Sequence, residues 1–169
     1  MDKSEIIKQK IISRNELPRH LAYWKFMNLK TVFTNGCFDI IHRGHVEYLA
    51  KAANLGKILI VGLNSDKSVR LLKGEGRPVQ DEQSRALILA SMHFVHAVVL
   101  FDEETPYNLI KEIVPNVLVK GGDYVPEEIV GYDIVKANKG KVVTIDFVNG
   151  YSSTGILEKA KNSPEKPHQ

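Results

Sequence analysis

The chain alternates short apolar runs with longer stretches in which apolar residues recur at helical spacing. A short apolar run is typical of a buried strand, whereas the spacing of Val46, Leu49 and Ala53 places them on one face of a helix. The pattern predicts strands at residues 31–34, 57–63, 97–101, 117–120 and 141–147. It predicts helices at residues 44–53, 66–72 and 82–94, from Thr105-Pro106 to Pro115, from Pro126 onward, and at 154–161.

Strands that alternate with helices form right-handed crossovers and a parallel sheet with helices on both faces. We therefore predict an α/β fold with a single doubly wound parallel five-stranded sheet. In the strand order 3-2-1-4-5, the loops after the first and fourth strands face each other across one crevice. Such a crevice is where sheets of this kind bind their ligands.

The two ends of the chain differ from this pattern. Residues 13–16 have the spacing of a capping box and introduce a helix containing Leu17, Leu21, Trp24 and Phe26, although Pro18 disfavours it. The last residues contain two prolines and no large apolar side chain. We expect an N-terminal helical extension at 1–30, the main domain at 31–161 and a disordered tail at 162–169.

Composition narrows the class of protein. The 169 residues are 43% hydrophobic and 25% charged, which is typical of a soluble globular domain. The net charge of +3 comes from interspersed residues rather than a basic stripe, so we expect anionic ligands and no nucleic-acid partner. No apolar stretch approaches the roughly 20 residues of a membrane span, and the charged start does not resemble a signal peptide. We expect a cytoplasmic protein without membrane contact.

The first strand is followed by a polar loop that runs into a helix and contains Asn35, Gly36, Phe38 and Asp39. Gly44 allows a ligand to approach the backbone, and His42 and His45 lie where helix N–H groups attract phosphate. This arrangement favours a polyphosphate. Two alternatives are an exposed histidine pair and half of a metal site, but the pattern contains no thiol or carboxylate cluster to complete a metal shell.

Three further segments follow strands or precede a helix. Lys73, Arg77 and Arg85 are three cations that would hold an anionic second substrate, although a plain loop explains the same residues. Lys120 and Asp123 flank two glycines after the fourth strand, and Ser152, Ser153 and Thr154 precede or begin the last helix. These hydroxyls either cap that helix or donate to a phosphate.

Other nucleotide and thiol chemistries are disfavoured. The chain contains no G-x-x-x-x-G-K-[ST] sequence, and no G-x-G-x-x-G follows a strand. The single cysteine, Cys37, excludes an internal disulfide and a four-cysteine zinc site. We favour loop packing over a nucleophilic role for Cys37, since free cysteine usually behaves as a small buried hydrophobe.

The motifs carry a resemblance to a known family. The pattern Gly36-x-Phe38-Asp39-x-x-His42-x-Gly44-His45 resembles the signature of cytidylyltransferase-like nucleotidyltransferases, and Ser152-Ser153-Thr154 resembles their second signature. More narrowly, TNGCFDIIHRGH, VGLNSDKSVRLLKGEGRPV, VLVKGGDY and GYSSTGI resemble the ADP-heptose synthase family of heptose 1-phosphate adenylyltransferases. The family often has Ser-Thr-Thr where this chain has Ser-Ser-Thr, a change that keeps the hydroxyl.

The resemblance implies a Rossmann-like nucleotidyltransferase fold and transfer of AMP from ATP to D-glycero-beta-D-manno-heptose 1-phosphate, with Mg²⁺ and release of pyrophosphate. The product, ADP-heptose, would serve a glycan of the lipopolysaccharide type. We also expect a homo-oligomer, and a separate heptose kinase in place of the kinase half that related bifunctional proteins carry. The alternative activity is that of a cytidylyltransferase acting on a small alcohol phosphate such as glycerol 3-phosphate.

The resemblance also implies roles for individual residues. The expected catalytic residues are His42, His45 and Lys120. The expected nucleotide-binding residues are Asn35, Gly36, Phe38, Asp39, His42, Gly44, His45, Ser152, Ser153 and Thr154. The expected sugar-phosphate residues are Lys73, Arg77 and Asp123. No metal ligand is assigned, although Asp39 would orient either the histidines or a metal.

Overall fold

The computed structural model describes residues 2–122, 124–146 and 150–161. Its centre is a five-stranded sheet in which every neighbouring pair is parallel, in the order β3-β2-β1-β4-β5. The strands are β1 (Thr31–Gly36), β2 (Ile58–Asn64), β3 (Ala97–Phe101), β4 (Val117–Gly121) and β5 (Lys141–Ile145). The predicted doubly wound sheet and its strand order are confirmed.

Helices connect the strands and cover both faces of the sheet. They are α1 (Lys3–Lys8), α2 (Leu17–Phe26), α3 (Arg43–Ala53), α4 (Asp66–Lys73), α5 (Glu82–Ser91), α6 (Tyr107–Ile113), α7 (Tyr132–Ala137) and α8 (Ser153–Lys161), with a 3₁₀ turn at Pro126–Glu128. None of the described helices is long and apolar enough to cross a membrane.

The core has two layers because β2 is buried along its whole length, as a strand with helices on both sides must be. On one face Phe33 and Ile60 pack with side chains of α2 and α6. On the other, Val61 packs in a cluster with Leu49 of α3 and Leu89 of α5. The polar residues at the carboxyl ends of the strands are left at one edge of this core.

Some helix boundaries differ from the prediction. The helix α5 ends at Ser91 rather than near residue 94, because Met92 is extended and its carbonyl accepts a hydrogen bond from the Lys10 ammonium at 3.0 Å. Pro106, not Thr105, occupies the N-cap of α6. The predicted fifth helical stretch is divided before α7 by Gly131, where a Cβ would lie 2.7 Å from the Ile110 side chain and φ is +89°.

The N-terminal segment packs against the same core. Ser13 donates two hydrogen bonds to the Glu16 carboxylate, from its N–H and from its hydroxyl, whereas the Glu16 N–H bonds to the Ser13 carbonyl, so the pair is not the predicted reciprocal capping box. The helix α2 follows with Glu16 at its N-cap and Pro18 in its first turn, where proline is tolerated. The helix contains Leu17, Leu21, Trp24 and Phe26 as predicted; Trp24 is buried, whereas Phe26 is 86% exposed. The helix α1, capped by Asp2, lies within the expected helical extension but was not predicted as a separate helix.

Two contacts fix this segment to the sheet. Ile11 forms a parallel bridge with Val98, so the chain before α2 lies along the edge of β3. Arg14 forms ion pairs with Glu103 and Glu112. The expected tail at 162–169 lies outside the described residues.

Candidate active site

The side chain of Phe38 holds the turn that follows β1 in place. We call residues 37–42 the histidine loop. Phe38 in this loop adopts φ +45°, which is unusual for a residue with a side chain, yet it is 5% exposed and packs edge-on against His45 with ring centroids 5.2 Å apart. A Cβ at Gly36 would lie 3.0 Å from the Phe38 ring. Strain of this kind persists only where surrounding packing enforces it, and it is common at functional sites.

His42 and His45 stack at the start of α3. Their ring centroids are 3.8 Å apart at 21°, and His42 occupies the N-cap. The Nδ1 atoms of both rings are buried and have no hydrogen-bond partner in the described part of the chain. Gly44 makes room for this pair, since a Cβ there would lie 3.1 Å from the His42 ring. Buried ring nitrogens without partners are costly unless a ligand satisfies them.

Both histidines have a lowered pKa. Burial lowers the pKa of His42. Burial, followed by the charges of His42 and Lys73, lowers the pKa of His45 to about 4, against a smaller opposing effect of the Ile40 carbonyl. A neutral imidazole carries one N–H donor and one acceptor nitrogen. The pair can therefore donate hydrogen bonds to an anion and gain charge as the anion approaches.

A second helix begins beside the first. The Ser152 hydroxyl accepts a hydrogen bond from the Gly155 N–H at 3.0 Å and so caps α8, while the Ser153 hydroxyl donates to the Ile40 carbonyl at 3.1 Å. Thr154 is exposed. The amino ends of α3 and α8 thus meet at the histidine loop, and both carry the partial positive charge that attracts anions.

These elements enclose a cavity of about 230 Å³ at the carboxyl ends of β1 and β4. Larger grooves of about 910 and 680 Å³ lie along the N-terminal helices and at the opposite end of the sheet. We assign the candidate site to the smaller cavity because it lies at the carboxyl ends of the strands and His45 lines it. Its lining is Asn35, Gly36, Cys37, Phe38, Asp39, His45, Tyr48, Lys73, Lys120, Gly121, Tyr124 and Ser153.

Two lysines make the cavity attractive to anions. Lys73 ends α4 and Lys120 lies in β4, with its Nζ 6.0 Å from the centroid of the Tyr124 ring. Burial lowers the pKa of Lys120, and no carboxylate in the described residues forms an ion pair with it. Burial also raises the pKa of the Cys37 thiol, which argues against a thiolate nucleophile.

Asp39 was expected to orient the histidines or a metal, but its carboxylate bonds to the loop that follows α4. We call residues 74–80 the basic loop. The Asp39 carboxylate, 1% exposed, accepts hydrogen bonds from Arg77 Nη1 at 2.5 Å, from the Val79 N–H at 2.7 Å and from the Gln80 N–H at 3.2 Å. Burial alone would raise the pKa of Asp39, but these three donors outweigh it and hold the pKa below its ordinary value. Asp39 joins the histidine loop to the basic loop.

The three cations expected at the second substrate do not share one position. Lys73 lines the cavity, whereas Arg77 is 16% exposed in its side chain and paired with Asp39. Arg85 is fully buried and its donors already bond to protein oxygens, so its expected contact with substrate is wrong. Asp123 lies outside the described residues.

Sequence reasoning missed the tyrosines of the site. The Tyr48 hydroxyl lies 2.6 Å from Thr34 Oγ1 and donates to the Val119 carbonyl at 3.4 Å, so it links β1 to β4 beneath the cavity. Burial raises its pKa to about 12. Tyr151 stacks on His42, with 6.5 Å between ring centroids. The position of Tyr48 three residues after His45, on the same side of α3, was the available signal.

The described residues contain no group of three His, Cys, Asp or Glu side chains placed to hold a metal ion. In the described part of the chain, His42 and His45 thus lack the further ligands that the alternative of half a metal site requires. Mg²⁺ commonly binds through substrate phosphates with few protein ligands. A metal carried by a nucleotide is compatible with these residues.

Comparison with known proteins gives a consistent picture. The model of the family described as cytidylyltransferase-like matches residues 33–159. The protein named "Bifunctional protein HldE" from Campylobacter concisus (strain 13826) is 58% identical over 134 residues, which cover 79% of this chain and 28% of that protein. The protein of the same name from Rhodopseudomonas palustris (strain BisB5) is 54% identical over 154 residues, covering 90% of this chain and 31% of that protein.

This chain spans slightly less than a third of the length of these relatives. A solved structure, the lipopolysaccharide core biosynthesis protein from Thermoplasma volcanium GSS1, has the same fold with a TM-score of 0.57. It is 24% identical, and the match covers 73% of this chain and 99% of that one. The family resemblance that the sequence motifs carried is confirmed.

Proposed function

This chain belongs to the cytidylyltransferase-like family of nucleotidyltransferases, and on that premise we propose that it transfers AMP from ATP to D-glycero-beta-D-manno-heptose 1-phosphate. The products are ADP-heptose and pyrophosphate. The observation that carries the proposal is the stacked histidine pair at the amino end of α3, beside a cavity lined by two lysines. The choice of adenine and heptose rests on the four motif segments that resemble ADP-heptose synthases.

The reaction needs positioning and charge stabilisation rather than a covalent intermediate. An oxygen of the sugar 1-phosphate attacks the α-phosphorus of ATP. The bond from that phosphorus to the bridging oxygen breaks, and pyrophosphate leaves with the electron pair. The two histidines donate to the triphosphate as negative charge builds on it, and Lys120 neutralises part of that charge at the other wall.

The nucleotide occupies the wall formed by the amino ends of α3 and α8. Free N–H groups at the start of α3 and the Ser153 and Thr154 region of α8 hold the β- and γ-phosphates. Ser152 supports this wall as the cap of α8. Asn35, Gly36, Phe38 and Gly44 shape the backbone around the nucleotide, and Asp39 acts by fixing the histidine loop.

The acceptor phosphate occupies the wall formed by α4 and the basic loop. Lys73 already lines the cavity. Arg77 uses Nη1 on Asp39, and no described hydrogen bond uses Nε or Nη2, so these nitrogens are available to a phosphate. We also assign Asp123 to this side, from the motif alone. Mg²⁺ bound to the phosphates of ATP would supply further charge neutralisation at the triphosphate.

We extend the proposal to partners. The relatives are named bifunctional and are about three times as long as the region they share with this chain. A sugar kinase would supply the sugar 1-phosphate, and the product would serve a glycan of the lipopolysaccharide type. We also propose that the chain works as a homo-oligomer. Size measurement by light scattering tests the oligomer independently of activity.

A pyrophosphate-release screen tests the function. ATP and CTP are each paired with heptose 1-phosphate and with glycerol 3-phosphate. We expect release only with ATP and heptose 1-phosphate. Release with CTP and glycerol 3-phosphate instead would establish the cytidylyltransferase alternative, because the phosphate-binding residues would be the same. No release in any pairing, together with nucleotide binding, would identify a binding module without turnover.

A further inference from the structure

Arg85 is a charged side chain enclosed in the protein interior. It lies on α5 and is 0% exposed. Its Nε donates to the Gln80 carbonyl at 3.0 Å, its Nη1 to the carbonyls of Cys37 at 2.6 Å and Asn64 at 2.9 Å, and its Nη2 to Asp66 Oδ1 at 2.7 Å. Each of its three nitrogens is therefore bonded to another segment of the chain.

The acceptors come from segments that meet at the candidate site. Cys37 belongs to the histidine loop, Gln80 ends the basic loop, and Asn64 ends β2. Arg85 thus joins the loop assigned to the nucleotide to the loop assigned to the acceptor. Asp39 makes the second connection between the same two loops, through Arg77, Val79 and Gln80.

The composition of the surrounding core indicates that this arginine is not a general packing residue. Its neighbours on the same helix, Ala86, Leu89 and Ala90, are buried apolar side chains. A buried ion pair is often no better for stability than apolar side chains of the same volume. The planar guanidinium, however, presents its donors in fixed directions, so one side chain can hold several carbonyls in place at once.

We propose that Arg85 is a positioning residue for nucleotidyl transfer. It holds the backbone of the histidine loop against β2 and the basic loop, so that the nucleotide and acceptor walls keep their separation. The expected effect of Arg85 on turnover rests on the proposed function. Its structural content, the order of the histidine loop, does not depend on which substrates the enzyme uses.

Cys37 provides a readout that requires no activity. It is the single cysteine of the chain, it is partly exposed among the residues that line the cavity, and its carbonyl is bonded to Arg85. The variant is Arg85→Lys, because an ammonium presents its donors from one point and cannot satisfy four separated acceptors. The matched control is Leu89→Ala, one turn further along α5, which removes buried apolar volume and none of the hydrogen bonds between Arg85 and the histidine loop.

The measurements are the alkylation rate of Cys37 by iodoacetamide, the Kd of a non-hydrolysable ATP analogue, KM and kcat, and Tm, with all rates taken well below Tm. We expect Arg85→Lys to raise the alkylation rate and the Kd by roughly tenfold or more, the scale of lost hydrogen bonds to a charged group. Leu89→Ala should lower Tm while leaving the alkylation rate, Kd and kcat near their original values.

The outcomes separate the two hypotheses. If Arg85→Lys lowers Tm but leaves the alkylation rate and Kd unchanged, Arg85 has only a general structural role. The same conclusion follows if Arg85→Lys and Leu89→Ala raise the alkylation rate and Kd equally. If Arg85→Lys does not fold, the second variant is Asp66→Asn, which weakens the ion pair between Arg85 and the partly exposed Asp66. An unchanged alkylation rate of Cys37 in Asp66→Asn would then overturn the proposal. Absence of turnover by the original chain would refute the proposed function and leave the alkylation result intact.

Discussion

The carboxylate of Asp39 lies 2.5 Å from the guanidinium of Arg77, and this pair joins the histidine loop to the basic loop. The side chain of Asp39 is fully buried and that of Arg77 is 16% exposed, so each charge depends on the other. Breaking a buried pair by removing one partner costs about 3–5 kcal/mol. Substitution of Arg77 therefore affects both the stability of the protein and the acceptor site.

Arg77→Ala and Asp39→Asn separate these two effects. Both break the ion pair, but only the first removes a cation from the acceptor wall. We expect Arg77→Ala to raise the Kd of heptose 1-phosphate roughly ten- to a hundredfold, the scale of a charged hydrogen bond, while Asp39→Asn changes it much less. Calorimetric titration of both variants measures this. Equal effects of the two substitutions would mean that Arg77 is purely structural.

His45→Ala should lower kcat by about 10²–10³, the loss expected when one donor to developing charge is removed. His45 Nδ1 has no hydrogen-bond partner in the described residues, but the ring packs against Phe38 and His42, so Tm measures the stability that the substitution costs. His45→Gln is the matched control, since its amide keeps an N–H donor and should retain part of the rate. Steady-state kinetics at saturating ATP, with Tm as a check on folding, test this. Normal kcat in folded His45→Ala would remove His45 from the mechanism.

The low pKa of His45 predicts proton uptake when nucleotide binds. Burial, then His42 and Lys73, hold this pKa at about 4, so the ring is neutral at pH 6. A triphosphate favours the charged ring and raises its pKa, so binding at pH 6 should take up a fraction of a proton. Calorimetry in two buffers of different ionisation enthalpy measures the uptake, and His45→Gln should reduce it. Equal uptake by both proteins would place the proton elsewhere.

The low pKa of His45 also predicts how the free energy of unfolding changes with pH. Between about pH 6.5 and 4 the unfolded chain binds a proton at His45 that the folded chain does not, so the free energy of unfolding falls as pH falls through this range. Denaturant unfolding of the original chain and His45→Gln between pH 7 and 4 tests this. The variant should lose less stability over the range; a parallel decline would contradict the lowered pKa.

Cys37→Ser should retain turnover. Burial raises the pKa of the thiol, and the proposed reaction requires no thiolate. Serine is close in size, so the histidine loop should keep its backbone position. Pyrophosphate release by the variant under the conditions used for the original chain is the measurement. Complete loss of turnover with an unchanged Tm would revive the nucleophilic role.

The sequence predicted the sheet and the meeting of the two loops because both follow from local patterns. Apolar runs mark the strands, and the strand order places the end of β1 beside that of β4. The partners of Asp39, Arg77 and Arg85 are not local, since hydrogen bonds from Arg85 span 48 residues to Cys37 and 21 to Asn64. Nothing in the composition of the loops distinguishes a cation that binds substrate from one that binds buried carbonyls.

The fate of ATP labelled at its α-phosphate, followed by rapid quench during a single turnover with heptose 1-phosphate, tests the central claim most directly. The account predicts that the label passes into ADP-heptose at the same rate as pyrophosphate appears, with no label on the protein. It also predicts that His45→Ala slows both appearances equally. Label bound to the protein before product forms, or label released only as free AMP, would contradict direct transfer to the sugar 1-phosphate.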